Sequence, residues 1–387
     1  MTTWTLIARS LRFHARSHLG ALLGAAVGSA VLIGALVVGD SVRGSLREIA
    51  LTRLGGIQLS LASNDRFFRA NLTPILTASL AATVVPALQT LATANTADGS
   101  ARANRVQLLV VDDRFWILSG HPIAFKTPAP DALVLNRRLA EQLRAKPGDV
   151  VVLRVPKPTQ LSRDAPISPQ EDSAVALRLT ISAIASDENL GAFSLRANQV
   201  PPFNAFVSLA WLQDRLQISG RANLMLVGRT PSLSVPAATA ALRKHWELAD
   251  AELELRELPD RAGLELRTSR VFLDAPVSRV ARRAAPEASG ILTYFVNELR
   301  AGRHATPYSM VTAMGAPVVP AEMRDDEILV SPWLAEDLQA KPGDELELKY
   351  YVVGLARKLE EKSARFRVRS VLATNGPSAD RTLMPEF

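Results

Sequence analysis

Cysteine is absent from this 387-residue sequence. That excludes disulfides and thiolate metal sites, and it suits a compartment outside a bacterial cytoplasm. Also missing is the G-x-x-x-x-G-K-[ST] loop that cradles phosphates, so the chain is not its own ATPase by that route. H-E-x-x-H, G-x-S-x-G and S-x-x-K do not occur either. Histidine is scarce: His14, His18, His121, His245 and His304 are scattered, with two of them ahead of the main apolar run. No residue stands out as catalytic, cofactor-binding or metal-ligating, so we expect a protein that is not an enzyme and has no cofactor or metal. The net charge of +7 comes mostly from dispersed arginines with acids between them. With no basic run carrying interleaved aromatics, nucleic acid is not an expected partner.

Two small motifs remain bland. Asp112-Asp113 invites an acid–base or metal reading, but no histidine or third ligand lies at useful spacing, and a strand-end turn is the expectation. Asn71-Leu72-Thr73 is a formal glycosylation sequon, relevant only to a eukaryotic secretory route.

What is present is an apolar run, Leu19 to Gly39, whose only polar side chain is Ser29. As a helix it spans about 30 Å, the thickness of a bilayer's hydrocarbon core. A helix apolar on every face is rare in a soluble domain, so residues 19–39 read as a transmembrane helix. The run is longer than the 7–15 residues of a cleaved signal's apolar region, so it is read as retained. Residues 1–18 carry Arg9, Arg12 and Arg16 and no acid. Trp4, Ile7 and Leu11 fall on one face, which predicts a cytoplasmic amphipathic helix on an anionic lipid leaflet. Lys and Arg counts on the two sides of the run nearly tie. A long following region translocates largely regardless of charge, which places the N-terminus inside and the bulk outside. Gly20, Gly24 and Gly28 share one helix face, where a neighbouring membrane helix could approach closely.

The remainder reads as mixed α+β. Residues 40–273 form a first extracytoplasmic lobe and 274–387 a second. Asp40 to Arg53 continues as a helix until Gly55-Gly56. A strand at 57–61, a helix near 66–80, and strands at 84–94 and 105–111 joined by a loop follow. The clearest feature is a repeat. DALVLNRRLAEQLRAKPGDVVVLRV from Asp131 reappears as DEILVSPWLAEDLQAKPGDELELKY from Asp326. Such agreement over a strand–helix–turn–strand unit is unlikely by chance. Asn136 and Ser331 are N-caps, with Pro332 at the first helical position. Pro147-Gly148 and Pro342-Gly343 fix type II turns, Pro presetting φ and Gly accepting φ > 0. Each copy runs into a further strand, at 176–185 and at 365–372. The Pro/Ser-rich connection 156–173 and the charged connection 354–363 are expected as exposed hairpin tips. Between the copies lies a βαβ-like stretch, with strands at 205–208 and 223–227 and a helix at 211–216. A helix from Ser234 and a strand over 252–258 follow.

Three stretches together resemble the MacB/FtsX/LolE-type ABC-transporter permeases. They are ARSLRFHARSHLGALLGAAVGSAVLIGALVVGDSVRGSL, then LAEQLRAKPGDVVVLRV with LRLTISAIA, then FVSLAWLQDRLQISGRANLMLV. The resemblance implies a bacterial inner-membrane permease subunit, or the N-terminal part of one. It also implies a cytoplasmic ATPase partner and a second permease subunit. ATP-driven motion would act on a lipoprotein, peptide or amphiphile outside the membrane. Such permeases carry further membrane helices, so the sequence through Phe387 is expected to be a truncated or partial one. The rival readings are a single-pass envelope scaffold or binding protein without transport activity and, on weaker grounds, an anchored hydrolase.

Overall fold

The computed structural model describes residues 2–122, 126–158, 174–258, 263–270, 272–316, 319–354, 359–373 and 383. They fall into two compact units, divided between Glu252 and Leu253.

The first unit opens with two helices, α1 (Thr3–Phe13) and α2 (Ala15–Leu54). β1 (Ile57–Ala62), the two-residue β2 (Phe68–Arg69) and α3 (Leu72–Leu80) follow. β3 (Val84–Thr96) and β4 (Arg102–Val111) make a hairpin that leads into α4 (Asp113–Ile117). The first repeat copy supplies β5 (Ala132–Asn136), α5 (Arg137–Leu143) and β6 (Val150–Pro156), and β7 (Ala174–Ala185) continues it. β8 (Asn204–Ser208), α6 (Leu209–Arg215), β9 (Arg221–Ala222), β10 (Leu224–Gly228) and α7 (Val235–His245) complete the unit.

Six of these strands close a ring. β4 lies antiparallel to β3 and parallel to β8, and β8 lies antiparallel to β5. β5 runs parallel to β7, and β6 lies antiparallel to both β7 and β3. At 13 residues β3 is long enough to serve two neighbours on one side: Val84–Ala87 pair with β10, and Thr93–Thr96 with β6. Closing a sheet on itself removes the exposed edges that would otherwise pair with other chains. Alternate residues fill the interior, among them Leu108, Leu133, Leu135, Leu153 and Leu179, with Leu139 and Leu143 of α5 against them. An aromatic cluster outside the ring joins Phe115, Trp116, Phe193 and Phe206. β1 and β10 extend the sheet beyond β3, and α3 and α7 cover that extension through Leu72, Leu76 and Ala241.

The second unit contains the hairpin β11 (Leu253–Glu257) and β12 (Leu264–Thr268), then α8 (Ala275–Ala284). β13 (Ile291–Ala301) and β14 (His304–Met314) form a longer hairpin. The second repeat copy gives β15 (Glu327–Val330), α9 (Pro332–Asp337) and β16 (Glu345–Val353), and β17 (Leu359–Val371) continues it. Strand order is β14-β13-β16-β17-β15.

The repeat holds to the level of single hydrogen bonds. Gly148 and Gly343 have φ of 95° and 97°, as the second central residue of a type II turn requires. The Asp149 and Asp344 amides each close their turn on the Lys146 and Lys341 carbonyls at 3.0 Å. Their carboxylates each accept the Lys146 or Lys341 amide at 2.8 Å. Gly148 donates to Ile181, and Gly343 to Val368. Both parallel pairs carry a register shift at the same place, Leu133/Val134 and Ile328/Leu329. Arg144 and Gln339, equivalent residues just after the two helices, share the same φ of 51°.

Several local expectations change. The helix expected over 66–80 begins only at Leu72, because Phe68 and Arg69 pair with β9. The strands expected at 84–94 and 105–111 are longer, with a connection of only residues 97–101. Asp112-Asp113 opens a helix rather than a turn: the Asp112 carboxylate accepts the Arg114 amide and caps α4. The βαβ-like strands are not neighbours, since β8 pairs with β4 and β5 while β10 pairs with β1 and β3. The units divide at Glu252, not near 273, because Leu253–Glu257 find their partner in β12. Residues 159–173 and 355–358 of the expected hairpin tips lie outside the described residues. So does most of the segment after Ala373.

Candidate functional site, where the long helix meets the core

α2 runs unbroken for 40 residues, so the apolar run and the helix that leaves it are one rod. Its most apolar stretch has mean hydropathy 2.4 and no buried residue, and it is long and apolar enough to cross a membrane. Leu22, Leu32 and Leu36 stand exposed on it. A continuous apolar surface on an isolated helix calls for lipid or another helix around it. Gly20, Gly24 and Gly28 lie on one side, and a Cβ added at any of them would meet open space. α1 precedes α2, and His14 separates the two with non-helical φ and ψ. Trp4, Ile7 and Leu11 are exposed on α1.

The other end of α2 is fastened to the ring. Gly55 ends the helix at φ 56° and ψ −125°, backbone space that other residues seldom enter. A Cβ on Gly55 would stand 3.0 Å from both the Leu118 carbonyl oxygen and the Leu190 side chain. Gly56 donates its amide to Leu118 and accepts that of Arg229, both at 2.7 Å. One turn earlier, Arg53 is only 6% exposed. Its guanidinium donates to the backbone carbonyls of Asn198 and Gln199. A buried cation is costly unless its donors are satisfied, so this contact ties the helix end to one segment of chain.

That segment, residues 186–203, is itself held by the ring. Gly191 admits no side chain: a Cβ there would come within 2.5 Å of the Ala185 carbonyl oxygen. Asn204, fully buried at the start of β8, donates to the carbonyls of Gly191 and Phe193 at 2.9 Å. Gln107 of β4 also donates to Phe193. Asn136 caps α5 through Leu139 and accepts the Asn204 amide while donating to Pro202. Arg138 donates to the Pro201 carbonyl and stacks over Phe203 at 4.6 Å. The repeat unit therefore grips the same strap that Arg53 holds. A cleft of about 550 Å³ opens beside α2, lined by Ser45, Glu48, Thr52, Asp187 and Pro201 among others.

A second charged cluster braces the unit. Asp250 is 4% exposed and accepts Nε and one terminal nitrogen of the Arg69 guanidinium, at 2.9 and 2.7 Å. It also accepts the amides of Arg69 and Glu247. Burial works against its ionisation, but the Arg69 hydrogen bond and the two amides outweigh it and hold the carboxyl below the ordinary range. Asp113 is likewise held low, chiefly by Thr127. These are braces: each acid faces its structural partner.

Among the described residues, no three histidines or acids are placed to hold a metal ion. Pro147, Gly148, Pro342 and Gly343 sit in the turns expected of them. The Arg53–Asn198 contact and the strap were not legible beforehand. A lone arginine and an irregular loop carry no periodic signal, and they meet only after the ring closes.

The MacB-like periplasmic core domain family matches residues 19–245. The periplasmic region of MacB from Actinobacillus actinomycetemcomitans is 11% identical over 61% of this chain and 96% of that one, with a TM-score of 0.32. The extracellular domain of the noncanonic ABC-type transporter YknZ from Gram-positive bacteria is also 11% identical, over 47% of this chain and 88% of that one, with a TM-score of 0.31. No curated protein matches the sequence.

Proposed function

The chain belongs to the MacB-like periplasmic core domain family, and on that premise we propose that it is a permease subunit, or the N-terminal part of one, of an ABC transporter. α1 lies on the cytoplasmic leaflet, α2 crosses the membrane, and the two units stand outside. The observation that carries this reading is the continuity of α2 from its apolar run to Arg53 and Gly55, where it is fastened to the core. A partner ATPase in the cytoplasm moves the membrane helices, and α2 passes that movement to the strap and ring. Work is done on a lipoprotein, peptide or amphiphile. The chain itself performs no covalent chemistry and needs no cofactor. A second permease subunit packs against Gly20, Gly24 and Gly28, where missing side chains permit close approach.

The test is to purify the protein from gently solubilised native membranes and assay for accompanying ATPase. A stoichiometric nucleotide-binding subunit, lost when Gly24 and Gly28 become Leu, is the expected result. Arrival without any ATPase subunit or domain would leave an anchored envelope scaffold instead.

A further inference from the structure

A helix of ten residues needs a surface to lie on. Isolated helices shorter than about 12–15 residues are marginal in water, because their few hydrogen bonds barely offset the cost of nucleation. α8 has 10 residues and none of them is buried. Its sequence, APVSRVARRA, is nonetheless sharply divided. Val277, Val280, Ala281 and Ala284 recur at i, i+3, i+4 and i+7 and share one face. Arg279, Arg282 and Arg283 occupy the opposite face, and the helix contains no acid. Val280 is 63% exposed, and Phe272, just ahead of the helix, is 59% exposed. Ala284 is exposed as well, and Val277 and Ala281 are half-buried. The apolar face is therefore left open, although it is the face that water favours least.

The charged face is open too. Elsewhere in the second unit arginines are matched to acids: Arg256 to Glu265 at 2.7 Å, Arg267 to Glu254 at 2.9 Å, Arg300 to Glu298 at 3.0 Å and Arg369 to Glu327 at 2.9 Å. Arg279, Arg282 and Arg283 are all exposed, and among the described residues none of them is in an ion pair. A face of small apolar residues backed by a dense positive face is the make-up of helices that lie in a membrane interface. The chain already carries one helix of this kind. α1 also has no buried residue and no acid, with Arg9 and Arg12 on the same helix as the exposed Trp4, Ile7 and Leu11.

We propose that α8 docks on a bilayer surface that carries anionic lipid, the same bilayer that α2 crosses. This rests on α2 being a membrane helix and not on the permease assignment. Val277, Val280, Ala281 and Ala284 lie at the boundary between headgroups and acyl chains. A helix with its side chains is about 10 Å across, so the opposite face stands among the headgroups, where Arg279, Arg282 and Arg283 meet phosphates. Phe272 adds a bulky apolar side chain just ahead of the helix. Charge decides between this surface and an apolar groove on another protein. A groove would cover the valines and leave three guanidiniums without partners, whereas anionic headgroups satisfy both faces. Three arginines together should favour an anionic surface over a neutral one on the order of 100-fold. The bilayer then holds the second unit at a point of its own, separate from α2.

Cysteine is absent, so a single introduced cysteine is the only site for a thiol-reactive spin label. The 387-residue chain is reconstituted into phosphatidylcholine vesicles with or without phosphatidylglycerol. Val280→Cys reports the apolar face of α8, Ala275→Cys its charged face, and Val31→Cys the apolar run of α2. Collisions with dissolved oxygen and with a water-soluble nickel complex tell lipid from water. With phosphatidylglycerol present, the labels at 280 and 31 should collide chiefly with oxygen and the label at 275 with nickel. In phosphatidylcholine alone, the label at 280 should return to water while the label at 31 stays in lipid. Arg279→Gln, Arg282→Gln and Arg283→Gln combined should have the same effect in the anionic vesicles. A label at 280 open to nickel in anionic vesicles, with 31 in lipid, overturns the proposal and leaves the membrane reading of α2 standing. So does a label at 280 shielded from both reagents whatever the lipid, which would assign the face to protein. Nickel contact at both 280 and 31 overturns the two together.

Discussion

Asn136 holds Asn204 by its backbone: the Asn136 side-chain oxygen accepts the Asn204 amide at 3.1 Å and the Leu139 amide at 3.0 Å. One side chain thus caps a helix and fixes the first residue of the strand that closes the ring. Asn136→Ala should destabilise the first unit by about 2–4 kcal/mol, combining a lost cap with a stranded buried amide. Asn136→Ser keeps the cap, as Ser331 does at 3.2 Å in the second copy, and should cost roughly half as much. Denaturant unfolding of the detergent-solubilised protein distinguishes the two.

Arg53→Ala removes the contact between α2 and the strap. Exposed carbonyls can turn to water, so the stability loss should be modest, about 1–3 kcal/mol. On the function proposed above the functional loss should be larger: in a complex with the proposed ATPase, ATPase activity persists while transport falls. Retained transport in a folded Arg53→Ala protein would show that the force passes elsewhere.

Gly55→Ala and Gly148→Ala separate two demands on glycine. At Gly148 the φ is positive but nothing lies within 4 Å of an added Cβ. The cost there is conformational, about 1 kcal/mol, and Gly343→Ala should match it. At Gly55 the same strain is joined by contact with backbone at 3.0 Å. That substitution should cost several times more and displace the end of α2, seen as faster proteolysis after Arg53.

Acid should loosen the first unit through Asp250. Its folded-state pKa is lowered, so its contribution is present above the unfolded value of about 3.9 and is lost as pH falls through the folded value. Asp250→Asn should lower stability at neutral pH and flatten its dependence on pH below about 5. A variant as acid-sensitive as the parent would assign the effect to other carboxylates.

Much of this was legible in the residues. The repeat turns, the caps at Asn136 and Ser331, and the end of α2 at Gly55 follow from local chemistry, because Pro, Gly and capping side chains act within three or four residues. The equivalence of β3–β4 with β13–β14, shown by the matching pairings of β3 with β6 and of β13 with β16, was not legible. VVPALQTLATANT and ILTYFVNELRA share a position in the sheet and almost no side chains. The division at Glu252 was hidden for a related reason: ELELREL has one wet face, and a strand does not announce which partner it will take. The strap escaped notice because its burial depends on Asn204 and Gln107 arriving from distant strands.

An unbroken rod of 40 residues has a geometric consequence. From the middle of its apolar run to Leu54 is about 25 residues, or about 37 Å at the rise of an α-helix. A change in tilt of about 10°, well within the range membrane helices adopt, would sweep its tip through about 6 Å. Had the helix broken at the bilayer surface, the same change would be absorbed in a loop. On the function proposed above, α2 built in one piece is a lever arm with Gly55 and Arg53 at its tip, and small angular changes in the bilayer become displacements as large as a side chain.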